Sequence, residues 1–202
     1  MTVTDPSVET LSILPLRSSV LVPASVVPIS VGRPSSVRLI EGAGDRQLIG
    51  VVTQRDAENE DPSFDDIYQV GTVARVLKTI RLSSGKHSAV LHGIARMRIV
   101  EELERAPWMR ARVERVEERP SHDVEIDALA AQLRESARAL DPEQASAILD
   151  VQDPGALADL VAVNLKLPPG SKQEVLETFD RRARLRKVIE LVARQAGEFR
   201  AS

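Results

Sequence analysis

The chain has 202 residues, room for one domain or two small ones, and its 43% hydrophobic and 28% charged content is that of an ordinary globular protein. A net charge of -3 and an aromatic content of 2% argue against a dedicated nucleic-acid binder, which needs cations for phosphates and rings for bases. The absence of cysteine excludes disulfides, thiolate metal sites and a cysteine nucleophile, and suits a reducing compartment.

Met1 to Glu9 is polar and acidic, unlike the basic-then-apolar order of a signal peptide. No window reaches the roughly 18 consecutive apolar residues of a membrane span. A cytoplasmic location is expected. From Thr10 to Glu117 the pattern is β-rich. Leu11 to Leu16 and Ser25 to Val31 read as strands, with Pro15, Pro23 and Pro28 in or beside them. Proline cannot donate to a ladder, so these belong at sheet edges or bulges. Pro34 suits the first turn of a short helix that buries Val37, Leu39 and Ile40 and ends at Gly42/Gly44. Gln47 to Thr53 is strand-like, and Gln54 to Asp66 reads as a solvated acidic loop. Val70 to Leu82 and His87 to Leu103 form a long hairpin about Ser83-Ser84-Gly85-Lys86, and Trp108 to Val116 is a last strand.

From Ser121 the period becomes helical. Ile126, Leu129/Ala130, Leu133, Ala137 and Leu140 mark one apolar face. Asp141-Pro142 and Asp153-Pro154 each read as an N-cap followed by Pro at the first helical position. After Leu167-Pro168-Pro169-Gly170, Ser171 and Glu174 read as a capping box. That box would open a single helix to Phe199, about 28 residues or about 42 Å long. Its seam would be Leu185, Ile189, Val192, Ala196 and Phe199. The domain boundary falls near Glu118-Arg119-Pro120-Ser121.

Familiar chemistry is missing. At Gly85-Lys86, Ile80 occupies the place of a P-loop's first glycine and His87 that of its Ser/Thr, which leaves a hairpin turn. His87 and His92 have odd spacing and point to opposite faces of a strand, and His122 lies in the linker. Solvated or capping roles are expected for all three. In the acidic run from Asp56, Asp61 and Ile67 stand where a calcium loop needs Gly and Glu. The basic cluster Arg181-Arg182-Ala183-Arg184-Leu185-Arg186-Lys187 reads as a helix surface paired locally with Glu174, Glu177, Asp180 and Glu190. Contact with nucleic acid or an acidic partner is its other reading.

The order of motifs is specific. Ile13-Leu14-Pro15-Leu16-Arg17, Val22-Pro23, Val27-Pro28, Val31-Gly32-Arg33, Asp61-Pro62, Asp66-Ile67-Tyr68, Val70-Gly71-Thr72-Val73-Ala74 and Gly93-Ile94-Ala95-Arg96 follow one another. Asp153-Pro154-Gly155, Leu157-Ala158-Asp159-Leu160, Asn164-Leu165 and Lys172-Gln173-Glu174 continue the series. In that order the chain resembles the N-terminal substrate-binding (LON) domain of Lon proteases over nearly its whole length. The resemblance implies an α+β fold. A PUA-like six-stranded β pseudo-barrel with a short helix would occupy residues 1–118, and an α-helical bundle ending in a long helix residues 121–202.

In the family this region precedes an AAA+ ATPase and a protease with a Ser-Lys dyad. Neither occurs before Ser202, so the resemblance implies part of a longer protein, with no catalytic residue, metal or cofactor of its own. Implied partners are unfolded or damaged polypeptides and, in the full-length protein, a homo-oligomeric hexamer. Membrane contact and nucleic-acid binding are not expected. Two departures stand out. Pro34-Ser35 replace a charged pair that many members carry after Gly32-Arg33, and the stretch from Leu140 to Val151 is short.

Recognition without chemistry needs an exposed apolar patch with a polar rim. The candidates are Leu16, Pro23, Pro28, Ile80 and Leu82, with Arg33 and Arg38 as the charges that remain. The competing reading places Leu16, Ile80 and Leu82 in the core. Two other functions stand beside this one. A stand-alone LON-domain adaptor tends to carry a Phe-Glu-Pro-Arg-Tyr-like segment where this chain has Val31-Gly32-Arg33-Pro34. RNA binding through the barrel would need a basic face, against the acidic Asp56–Asp66 stretch.

Overall fold

The computed structural model describes residues 7–43, 47–118, 123–138, 148 and 150–201, with side chains as far as residue 197. Two compact units, Met1–Glu117 and Glu118–Ser202, divide the chain.

The first unit contains β1 (Val8–Leu16), β2 (Val26–Val31), α1 (Pro34–Ala43) and β3 (Leu48–Thr53). A short 3₁₀ helix (Phe64–Asp66), β4 (Val70–Arg81), β5 (His87–Glu104) and β6 (Arg110–Arg115) follow. The sheet order is β2-β5-β4-β3-β1-β6, and β5 also pairs with β6. That second pairing closes β5, β4, β3, β1 and β6 into a barrel and leaves β2 outside it as an edge strand. The length of β5 makes this possible. Its start, His87–His92, pairs with β2, and its end, Met97–Glu104, pairs with β6. β1 and β3 are parallel, which requires a crossover, and the segment carrying β2 and α1 supplies it.

β3 is buried on both faces, which is why it reads as a continuous apolar run. Leu48 and Val52 join a core with Ile13, Val73 and Met97. Ile49 and Val51 join a second core with Leu14, Val76 and the α1 residues Leu39 and Ile40. Gly85 turns the β4–β5 hairpin at φ +76°, a left-handed value that favours glycine. Trp108 Nε1 donates to Ser12 Oγ at 3.0 Å. Ser12→Ala is expected to lower stability by about 1 kcal/mol. Because Trp108 is the chain's only tryptophan, its fluorescence during urea unfolding measures that loss directly.

The second unit contains α2 (Val124–Arg138), α3 (Pro154–Asn164), α4 (Pro169–Glu177) and α5 (Arg181–Ala201). Its core joins Ile126, Ala130 and Leu133 of α2 to Leu157, Val161 and Leu185, among others. Asp153 caps α3 as expected, accepting a hydrogen bond from Ala156 N at 2.8 Å. Asp141-Pro142, Leu140, Gly44, Arg119 to His122 and the Phe199 side chain lie outside the described residues.

The single long helix is not what forms. Pro168 is the N-cap of α4, so Ser171 lies inside the first turn, where its N–H reaches Pro168 O at 3.1 Å. The expected capping box is therefore absent. The helix stops at Glu177, Thr178 is extended, and Asp180 restarts it by accepting from Ala183 N at 2.8 Å. Aspartate satisfies first-turn N–H groups better as a cap than in a helix interior. The buried stripe of α5 is Leu185, Val188, Leu191 and Val192, so Val188 takes the place expected for Ile189, which is only half-buried.

The basic cluster is paired mainly across the unit, not along its own helix. Arg181 meets Glu118 and Asp153, each at 3.3 Å, and Arg182 and Arg186 meet Asp123 and Glu125. Glu174 does meet Lys187 at 3.1 Å, but from α4 to α5 and not at the helical spacing expected. Arg184 is not on a surface at all: its side chain is 0% exposed. Among the described residues no helix is long and apolar enough to cross a membrane.

Candidate functional site

The barrel unit carries a groove and, beside it, an exposed apolar sheet face. The groove arises because β1 changes neighbours. Val8–Ser12 pair with β6 and Ile13–Leu16 with β3, so past Ser12 one edge of β1 has no strand beside it among the described residues. On that edge Ile13 donates to Met109 O at 2.8 Å. Pro15 has no N–H to offer, and its carbonyl accepts from Arg33 Nη2 at 3.0 Å. β2 likewise has a ladder on its β5 side only. Between them lies a cavity of about 640 Å³, with Leu14 to Ser19 on one wall, Pro28 to Pro34 on the other, and Glu60 and Lys86 at its border.

Charge is concentrated there. Arg17 forks onto Glu60 at 2.8 and 2.5 Å. This hydrogen-bonded pair raises the pKa of Arg17 and lowers that of Glu60. Arg33 is half-buried, and its pKa is lowered first by desolvation and then by the charge of Arg17. Its Nη1 is buried and has no hydrogen-bond partner among the described residues.

The apolar face is the outer side of β2, β5 and β4. Pro28 stands opposite Val90, and Ile80 opposite Ser88, the next residue on the same face of β5. Val26 is 56%, Ile80 44% and Leu82 40% exposed. Leu77 is also exposed, alternating with the buried Val76, and the bulge that follows leaves Lys78 exposed beside it.

Of the residues singled out from sequence, Leu16, Pro28 and Arg33 converge on the groove. Ile80 and Leu82 lie on the apolar face. They are not core, and Leu16 is half-buried. Pro23 is half-buried in the loop before β2, a loop held by Ala24 N to Gly93 O and Gly93 N to Ser25 O, both at 2.9 Å. Arg38 is exposed on α1 and lines neither described cavity.

One expectation is corrected. His87 is buried, not solvated, because it shares the inward face of β5 with Ala89 and Leu91. Its Nε2 lies 3.1 Å from Glu41 Oε1. The Gln54 to Asp66 stretch is a loop with Asp56, Glu58, Glu60 and Asp61 exposed, as expected, and it is braced from within. Gln54 Nε2 donates to the carbonyls of Asp56 and Asn59 at 3.0 and 2.9 Å, and Phe64 is buried in the barrel core. Asp66 Oδ2 accepts from Ser63 N and Oγ, both at 2.7 Å, and these bonds lower its pKa.

The sequence does not single out Arg17, Lys86, Val26 or Leu77 as site residues. Period-two alternation with an exposed strand could have found Val26. Nothing local marks Lys86, whose place in the groove comes from strand pairing.

A barrel closed by one long strand, with an edge strand and charged groove, and a helical unit after it in the chain, defines an α+β binding module of the pseudo-barrel type. The model of the ATP-dependent protease La (LON) substrate-binding domain matches residues 10–194. The chain belongs to that family. It is 48% identical to Lon protease 2 of Sorangium cellulosum over 94% of its length, and 45% identical to Lon protease 2 of Myxococcus xanthus over 93%. It spans 25% and 24% of those two proteins. The N-terminal domain of Mycobacterium avium complex Lon protease superposes with a TM-score of 0.75 at 25% identity, covering 92% of this chain and 98% of that one. The Lon N-terminal domain protein from Xanthomonas campestris shares the fold, with a TM-score of 0.65 at 20% identity, covering 90% of this chain and 98% of that one.

Proposed function

We propose that this chain is the recruiting part of a Lon-type ATP-dependent serine protease: it holds unfolded or damaged polypeptides for a cytoplasmic hexamer whose ATPase and peptidase modules do the chemistry. The observation that carries the reading is the apolar strip of Val26, Pro28, Val90, Ile80 and Leu82 on the outer face of β2, β5 and β4. Folded proteins bury such side chains, whereas unfolded ones expose apolar segments that a patch of this kind holds weakly. A ring multiplies that weak hold through effective concentration. The names of the relatives, and the quarter of their length that this chain spans, favour a protease over a stand-alone adaptor.

The test is NMR shift mapping on the 202-residue chain with a chemically unfolded protein and with its native form. Selective shifts at Val26, Ile80 and Leu82 with the unfolded form are the expected result. Ile80→Asp is expected to weaken that binding about tenfold, the loss of one good apolar contact. No shift at millimolar ligand, or equal shifts with the native form, would remove recruitment as this unit's task.

A further inference from the structure

We infer that the groove between β1 and β2 binds an extended polypeptide segment bearing an acidic side chain, which seats against Arg33 while the segment's main chain adds to the free edge of β2. The inference rests on the proposed uptake of polypeptides and specifies the chemistry of the segment taken up.

The main-chain part follows from one proline. Pro28 lies in the middle of the β2–β5 ladder, and a proline in a paired strand must turn its missing N–H away from the ladder. By alternation Val26 and Ser30 share its outward direction. The free edge of β2 therefore offers main-chain N–H and C=O groups at Val26 and Ser30 and a carbonyl alone at Pro28. Across the groove, Pro15 presents another carbonyl without an N–H, already holding Arg33 Nη2 at 3.0 Å. Two edges, each with a proline, cannot zip together, yet both can accept from the N–H groups of an inserted strand.

The side-chain part follows from charge. Arg17, Arg33 and Lys86 line the cavity against the single carboxylate of Glu60. Glu60 is taken up by Nη1 and Nη2 of Arg17. Arg33 and Lys86 have no ion pair among the described residues, and Arg33 Nη1 is buried without any partner. A buried charged donor left unpaired is costly, and a carboxylate is its natural complement. A free anion would satisfy Arg33 but leave the half-buried apolar side chains of Leu16 and Ile29, and both strand edges, unused. An acidic segment of polypeptide uses all of them.

Fluorescence anisotropy on the intact chain tests this with two labelled, soluble, extended peptides that differ only in one central Glu or Gln. The Glu peptide should bind about tenfold more tightly, the worth of one charge-assisted bond. Arg33→Gln should erase that difference, and Lys86→Gln and added salt should shrink it. Ser30→Pro, which removes an edge N–H, should weaken both peptides alike. Equal affinity of the Glu and Gln peptides, a preference that survives Arg33→Gln, or displacement of the peptide by acetate at similar concentration would overturn the proposal. Circular dichroism checks that Arg33→Gln is folded. If it is not, the Lys86→Gln and salt results decide. Should neither peptide bind while an unfolded protein still shifts Ile80 and Leu82, the groove proposal falls and recruitment by the apolar face stands. Peptide binding without those shifts would be the reverse.

Discussion

Arg184→Ala is expected to destabilise the helical unit by about 3–5 kcal/mol, enough to unfold it under mild urea. The Arg184 side chain is 0% exposed. Its Nη1 and Nη2 donate to the two Glu118 oxygens at 2.9 and 2.7 Å, and Nη1 also to Thr178 O at 3.2 Å. Nε faces Asp159 Oδ1 at 3.5 Å, close enough for an ion pair though not for a hydrogen bond. Burial by itself would lower the pKa of Arg184. The hydrogen bonds to Glu118 and the charges of Asp159, Glu118 and Asp153 outweigh it and raise the pKa. Truncation takes this cation away from a carboxylate that is only 1% exposed, Asp159. The loss is the penalty of removing the cation that Glu118 and Asp159 both face, not the net worth of one pair.

The double variant Arg184→Met/Asp159→Leu separates the two. With both charges gone, part of the stability should return, the rest being withheld by Glu118, which loses its two hydrogen bonds from Arg184. Urea unfolding followed by far-ultraviolet circular dichroism reads both variants. A loss below about 1 kcal/mol in Arg184→Ala, the size of a surface pair, would mean that the cluster is ornamental. The same network accounts for Gly155, where a Cβ would stand 2.8 Å from Arg184 Nη2 and 3.0 Å from Glu118 Oε2.

Gly71→Ala is expected to cost the barrel about 3 kcal/mol, at the upper end of overpacking effects. A Cβ there would collide with the Val51 carbonyl oxygen and lie 2.8 Å from Val52 Cγ1. Val51 is bound into the ladder with β4 opposite Thr72, so neither backbone can retreat without opening the sheet. Gly50→Ala is the control. Its new methyl would meet Met97 Cε at 2.6 Å and Ile13 Cδ1 at 2.7 Å, side-chain ends that can turn aside. Trp108 fluorescence during urea unfolding should place Gly71→Ala well below Gly50→Ala. Equal stabilities would show that the β3–β4 approach at Gly71 is looser than the geometry implies.

Much of this molecule was legible in its residues because the causes are local. Apolar and β-branched runs bounded by turn residues located β1 to β6 to within a few residues. Gly85 marked the hairpin turn, and Asp153-Pro154 marked the start of α3. The ordered proline and glycine motifs pointed to the family. Ser63 and Asp66 also formed a local signal, a short capping pair, which the acidity of the loop around it obscured. Asp180 was another such signal: a good N-cap inside an otherwise helical period ended one helix and began the next.

Legible in the residues, then, are the six strands, α1, the start of α3 and the family to which the chain belongs, since these depend on side chains a few positions apart. Only the tertiary structure decided that β2 stands outside the barrel, that Arg184 is buried on Glu118 and Asp159, and that Leu16, Pro28, Arg33 and Lys86 border one groove. The physical reason is the same for all three. Strand adjacency follows from β5 pairing with β2 at one end and β6 at the other, and the burial of a charge follows from partners that arrive from distant segments. Neither leaves a periodic trace in the chain.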